Sequence, residues 1–171
     1  MSDRPFRFAV QATPQDGAQW LATARRAEEL GYATLMMPDG MQLLSPLPAL
    51  APVAAKADIV TLAIGPLTSR EEAARLAAEV RETAGQRAGS IEFESPIFVV
   101  GDEAPPWVRR FLQADLATLV ERDSLLILRG SPRQMADELL RRREEISVSY
   151  VSVNSAFCEQ FAPVVELLAG G

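Results

Sequence analysis

The chain has 171 residues, 48% of them hydrophobic and 23% charged, enough for one domain with a core of its own. A net charge of −6 and a pI near 4.8 argue against a nucleic-acid partner or an anionic membrane surface. Histidine is absent and cysteine occurs once, as Cys158, which excludes a Ser-His-Asp triad, a Cys-His pair, a His-ligated metal and an internal disulfide.

Any proton transfer therefore falls to Asp, Glu, Tyr, Lys, Cys or the substrate itself. No signal-peptide core precedes a cleavage site, and the most apolar stretch is interrupted by Lys56, Asp58 and several prolines. A soluble, cytoplasmic protein with no membrane span is expected.

In chain order, FRFAVQ (6–11) reads as a short strand. A helix follows, with Asp16 as N-cap, Trp20, Leu21, Ala24, Ala27 and Leu30 at helical spacing, and Gly31 as its stop. ATLMM (33–37) is a second strand, apolar throughout like strands covered on both faces, and it ends at Pro38-Asp39-Gly40. Residues 45–57 predict a helix capped by Ser45, opened by Pro46 or Pro48 and kinked or shortened at Pro52. DIVTLA (58–63) is a third strand.

The clearest helix starts at Thr68 or Ser69, carries Glu71 and Glu72 in its first turn, and stops at Gly85. SIEFESPIFVVG (90–101) is a fourth strand in which Pro96 marks a bulge or a fray. Residues 105–122 read as one helix, and 131–145 as another with Ser131 as cap and Pro132 at the first helical position. SVSYVSVN (147–154) is the fifth strand, and 156–170 a closing helix. The pattern is about five strand-then-helix repeats at the ~30-residue period of a βαβ unit. It predicts a single α/β domain over 1–171, whereas a full (β/α)₈ barrel takes about 250 residues.

Two blocks go beyond periodicity. FRFAVQA…WLATARRAEELGYATLMMPDG…LSPLPALA (6–51) resembles the opening β-α-β of the luciferase-like monooxygenase superfamily, in particular its deazaflavin-dependent branch. GSPRQMADELLRRREEISVSYVSV…FAPVVELLAG (130–170) is similar to that superfamily's last helix, eighth strand and C-terminal helix. Between them, ADIVTLA…EEAARLAAEVRETAGQR…IEFESPIFVV resembles its sixth strand, the next helix and its seventh strand. The resemblance implies a truncated TIM-barrel-like fold, joined near Ala54–Lys56, without the third to fifth strands.

It also implies FMN or the deazaflavin coenzyme F-420 at the C-terminal strand ends. The family holds the cofactor phosphate with a Gly-rich loop after its fifth strand, and this chain has no such loop. Gly40 stands where the family often has His after the Pro-Asp pair. A reduced or lost flavin site is the expectation.

In a barrel the chemistry sits at the C-terminal ends of the strands. Those ends offer Gln11 and Thr13, Asp39 and Met41, Thr61, Asp102, and Asn154. Asp39, directly after an apolar strand, is the acid/base candidate, with a loop- or helix-capping role as its alternative. Gln11 and Asn154 suit a substrate carbonyl or ring nitrogen, or simply the loop backbone. Met36, Met37 and Met41 offer a soft wall for a flat hydrophobic ligand, or core filling for the first two. Glu92 and Glu94, near the start of their strand, read as solvated, as do Arg25-Arg26 and Arg141-Arg142-Arg143. Cys158 has no activating neighbour, and Trp20 and Trp107 read as packing residues.

Three functions remain open. One is a shortened oxidoreductase or monooxygenase acting on a hydrophobic small molecule. Another is a cofactor-free cyclase or isomerase on the same scaffold. The third is a non-catalytic ligand-binding protein or companion subunit of a full-length relative. The strands at 33–37 and 58–63 would flank the missing segment as unprotected edges, so a homodimer burying Met36, Val60 and Leu62 near or behind its interface is expected.

Overall fold

A computed structural model describes residues 4–12, 17–36, 59–62 and 65–169. The predicted helix at 45–57 and the turn at Pro38-Asp39-Gly40 lie outside these residues. Among the described residues the strands are β1 (Arg7–Gln11), β2 (Thr34–Met36), β3 (Ile59–Thr61), β4 (Glu92–Ile97), β5 (Val99–Val100), β6 (Ile127–Leu128) and β7 (Val148–Asn154). The α-helices are α1 (Gly17–Glu29), α2 (Arg70–Ala84), α3 (Pro106–Leu112), α4 (Leu116–Glu121), α5 (Pro132–Ile146) and α6 (Cys158–Leu168).

Five strands form one parallel sheet in the order β2-β1-β7-β4-β3. The first and last strands are neighbours, with Arg7 to Gln11 in register with Tyr150 to Asn154. Alternate residues divide the sheet into two faces. Phe8, Val10, Val60, Ile97, Val151 and Val153 enter the core shared with Ala77, Val80, Leu139, Phe161 and Val164 of the helices. The opposite face carries Arg7, Gln11, Thr61, Glu94, Tyr150 and Ser152. The architecture is a half-barrel, with a core between sheet and helices and a polar concave face. Among the described residues β2 and β3 end the sheet, the edge positions expected for the strands at 33–37 and 58–63.

Local signals set the helix ends. Ser69 and Ser131 each close a reciprocal capping box, with Glu72 and Gln134, and Pro132 opens α5. Gly31, at φ +81°, ends α1: its N–H donates to the Glu28 carbonyl, and that of Tyr32 to Ala27. That pair of bonds is a Schellman closure, which glycine makes without a Cβ penalty.

Three expectations change. Residues 105–122 are two helices, because Gln113 turns left-handed (φ 53°) and the Asp115 carboxylate accepts from the Thr118 N–H and hydroxyl at 2.9 and 2.8 Å. A capping side chain competes there with helix continuation. The irregularity in β4 falls between Phe93 and Glu94, not at Pro96, which pairs with Ser152. Phe93 faces Val148 and Glu94 faces Tyr150, so Ser149 is the extra residue that turns Val148 into the core. The fourth strand also splits at Phe98, and β5 pairs with β6 in a separate two-stranded sheet.

The third change concerns Arg142, which is 3% exposed rather than solvated. Its guanidinium donates to the carbonyls of Leu125 (2.7 Å) and Ile127 (2.8 Å) and to Glu138 Oε1 (2.7 Å), pinning the approach to β6 onto α5. Glu138 also receives Arg70 at 2.7 Å and Arg141 at 2.5 Å, and Arg70 reaches on to Asp123 and Glu145. Arg25 and Arg141 are exposed, and Arg26, on the surface, binds Glu159. Burial alone would raise the Glu138 pKa, but the Arg142 charge and the bonds from Arg70, Arg142 and Arg141 hold it down to about 2.

A carboxylate depressed on folding contributes stability above its unfolded value and loses it as pH falls through the folded one. Glu138→Gln should therefore cost roughly 3 kcal/mol at neutral pH, the lower end for breaking a buried ion pair. Chemical denaturation between pH 7 and 2 should show wild type converging on the variant below the ordinary value of 4.5. A constant gap across that range would remove Glu138 as the ionic anchor.

Candidate functional site

The concave face holds a hydrogen-bonded chain that runs across three strands. Gln11, the last residue of β1, donates its Nε2–H to Ser152 Oγ at 2.8 Å. The Ser152 hydroxyl in turn donates to Glu94 Oε1 at 2.5 Å. Ser152 is fully buried and Glu94 is 1% exposed. Glu94 Oε2 has no hydrogen-bond partner among the described residues. Desolvation pushes the Glu94 pKa up, opposed by smaller contributions from the Ser152 and Thr61 hydroxyls. Thr61, on the neighbouring strand in register with Glu94, is itself exposed.

Around this chain the face is mixed. Tyr150 is buried, with its hydroxyl 3.9 Å from Met36 Sδ, and Ile59 stands 41% exposed on β3. Arg7 stacks over the Tyr150 ring at 4.8 Å and binds Glu92 at 2.7 Å. Glu92 also accepts from Ser149 at 3.3 Å. Both acids expected to be solvated are buried, Glu92 against Arg7 and Ser149 and Glu94 against Ser152. Glu92 is matched by a guanidinium and Glu94 is not.

The predicted site residues fall into three groups. Gln11 and Thr61 come together through Ser152 and Glu94. Asn154 sits opposite Gln11, and its Oδ1 accepts the Ala156 N–H at 2.9 Å, so it caps the turn after β7. Asp102 follows the two-stranded sheet and pairs with Arg129 at 2.6 Å on the surface. Asp39, Thr13, Met41 and Met37 lie outside the described residues. Ser152 escaped the sequence reading, and Glu94, which the alternation places on one face with Glu92, was expected to be solvated.

α6, which follows β7, opens with Glu159, a carboxylate at the end of the helix where a phosphate would sit, and Arg26 is already bound to it at 2.5 and 2.6 Å. Burial beside Glu159 pushes the Cys158 thiol up, which keeps it protonated. Gly101 is left-handed (φ +90°), and a Cβ there would collide with Gln160, so this turn meets a helix side chain at close range. No described helix is long and apolar enough to cross a membrane.

No family model and no curated protein matches the sequence. The fold is similar to that of DmoA from Hyphomicrobium sulfonivorans, with a TM-score of 0.48 at 14% identity over 78% of this chain and 41% of that one. It is similar to the long-chain alkane monooxygenase LadA (TM-score 0.47, 14% identity, 78% of this chain, 41% of that one). A third is the EDTA monooxygenase EmoA from Chelativorans sp. BNC1 (0.45, 15%, 81% and 47%). The chain spans less than half the length of each of these structures.

A carboxyl whose pKa rises on folding contributes stability below its unfolded value, near 4.5, and loses that contribution as pH rises through the folded value. Relative to Glu94→Gln, wild type should therefore lose stability as pH increases. Paired denaturation curves at stepped pH check this. A wild type that gains on the variant with rising pH would mean that the carboxylate is satisfied as an anion.

Proposed function

We propose that this protein is a shortened luciferase-like (β/α) barrel that holds a small, largely hydrophobic molecule against its concave face. Its flavin or deazaflavin site is reduced or lost, and it works as a homodimer. The observation that carries the reading is the buried chain Gln11–Ser152–Glu94, built on the concave face of a parallel half-barrel. An enclosed carboxyl kept from its ordinary ionisation is costly unless something uses it. Acid–base chemistry without a redox cofactor, as in an isomerase or cyclase, is the second reading. It is favoured by the same carboxyl and by the Glu159 carboxylate at the start of α6.

Dimerisation completes the site in this proposal. Half a barrel encloses a ligand on one side only, and β2 and β3 each pair with a single strand among the described residues. A two-fold axis along the barrel axis places β2 of one copy beside β3 of the other with all strands parallel. Val60 and Leu62 are already in the core behind β3, so Ile59, Thr61 and Met36 are the residues that would approach the partner.

Purified protein should show no flavin absorbance, and titration calorimetry should give no sub-micromolar dissociation constant for FMN or F-420. Light scattering behind a sizing column should give twice the 18.6 kDa chain mass at micromolar concentration. Tight flavin binding would overturn the reduced site, and a mass of one chain for ligand-binding protein would overturn the dimer. Co-purification with a longer relative would replace the homodimer with a companion role.

A further inference from the structure

The concave-face reading can be taken to a ligand class, because the buried chain has a direction. Gln11 supplies a proton to Ser152 Oγ, and the single Ser152 hydroxyl proton goes to Glu94 Oε1, so Oε1 is an acceptor. That leaves Oε2, buried and without a partner among the described residues. As an anion, Oε2 would be a buried charge with no hydrogen-bond donor in place among the described residues, the Thr61 hydroxyl acting on the carboxyl without bonding Oε2. The Arg7 guanidinium, on this face, is committed to Glu92 at 2.7 Å. As a neutral acid, Oε2 carries the proton and is a donor with no acceptor in place among the described residues. Burial favours this second state. A missing acceptor in a buried, otherwise satisfied chain is a specification for an occupant.

The surroundings limit what that occupant is. The half-buried Met36 and Pro96 and the exposed Ile59 present apolar surface on the same face as the buried Tyr150 ring, and Arg7 and Glu92 neutralise each other. A charged ligand gains little there, whereas a flat apolar molecule with one oxygen acceptor matches both features.

We propose that Glu94 Oε2 donates a hydrogen bond to the carbonyl oxygen of a small, largely apolar carbonyl compound seated on the concave face, with Ser152 and Gln11 as positioning residues. This rests on the small-molecule reading of the half-barrel and assigns the group that orients the ligand.

Two measurements test it on the full chain. Infrared difference spectra of wild type against Glu94→Gln at neutral pH should contain the carbonyl stretch of a protonated carboxyl, and Ser152→Ala should shift that band. Calorimetry with fluorenone and fluorene, which share a shape and differ by one carbonyl, should show wild type preferring fluorenone by at least tenfold. Glu94→Gln, which keeps an N–H donor, should retain most of the preference, and Glu94→Ala should lose it. An ionised Glu94 in the infrared overturns the proposal, even if Glu94→Ala does not fold. Equal binding of the two probes overturns it while leaving a ligand-binding face in place. Failure of both to bind overturns the small-molecule reading and this assignment with it.

Discussion

The pairing of the first strand with the last is the constraint on which the rest of this structure depends. β1 and β7 run parallel over five residue pairs, with Arg7 opposite Tyr150 and Gln11 opposite Asn154. Parallel neighbours need a crossover, and right-handed crossovers in one rotational sense leave all the helices on one side. The sheet then has a face packed on the described helices and a second face turned away from that core, which carries an acid, a serine and an amide. Break the β1–β7 ladder, and Gln11 no longer reaches Ser152.

Short-range rules carried the helices well. Ser69, Ser131, Pro132, Gly31 and Gly85 are boundary residues whose effect is local, and each stands where its chemistry predicts. β1, β4 and β7 were legible from alternation and apolar content, and β2 and β3 from their apolar runs. What failed was decided at long range. β6 is two residues held in place by Arg142, seventeen positions from the Leu125 carbonyl it binds. Arg142 stands in a run of three arginines that reads as a solvated face, and nothing local separates it from its neighbours.

The candidate site was half legible for a related reason. Gln11 and Thr61 were accessible to the rule that barrel chemistry gathers at strand ends. Glu94 was set aside because it stands near the start of its strand. It is buried nonetheless, opposite Tyr150 just past the bulge at Ser149, and register, bulge and burial are properties of the sheet as a whole. Asp102 shows the opposite case: a strand-end carboxylate by sequence, it is engaged by Arg129 beside a different sheet.

Two glutamates on this protein show how burial separates structure from function. Glu138 is desolvated, but three arginines surround it, so its charged form is the stable one and its loss costs the fold. Glu94 is desolvated more deeply, and the described groups that act on its carboxyl are the Ser152 and Thr61 hydroxyls, so its charge has no counterpart among them. A chain with seventeen basic residues could have supplied one. Arg7, on the same face, is spent on Glu92 instead. A carboxyl left with a proton and no acceptor weakens the fold by the cost of an unsatisfied polar group. That cost makes sense where an incoming oxygen removes it, and the ligand-orienting group proposed for the half-barrel then lies beneath the concave surface rather than at its rim.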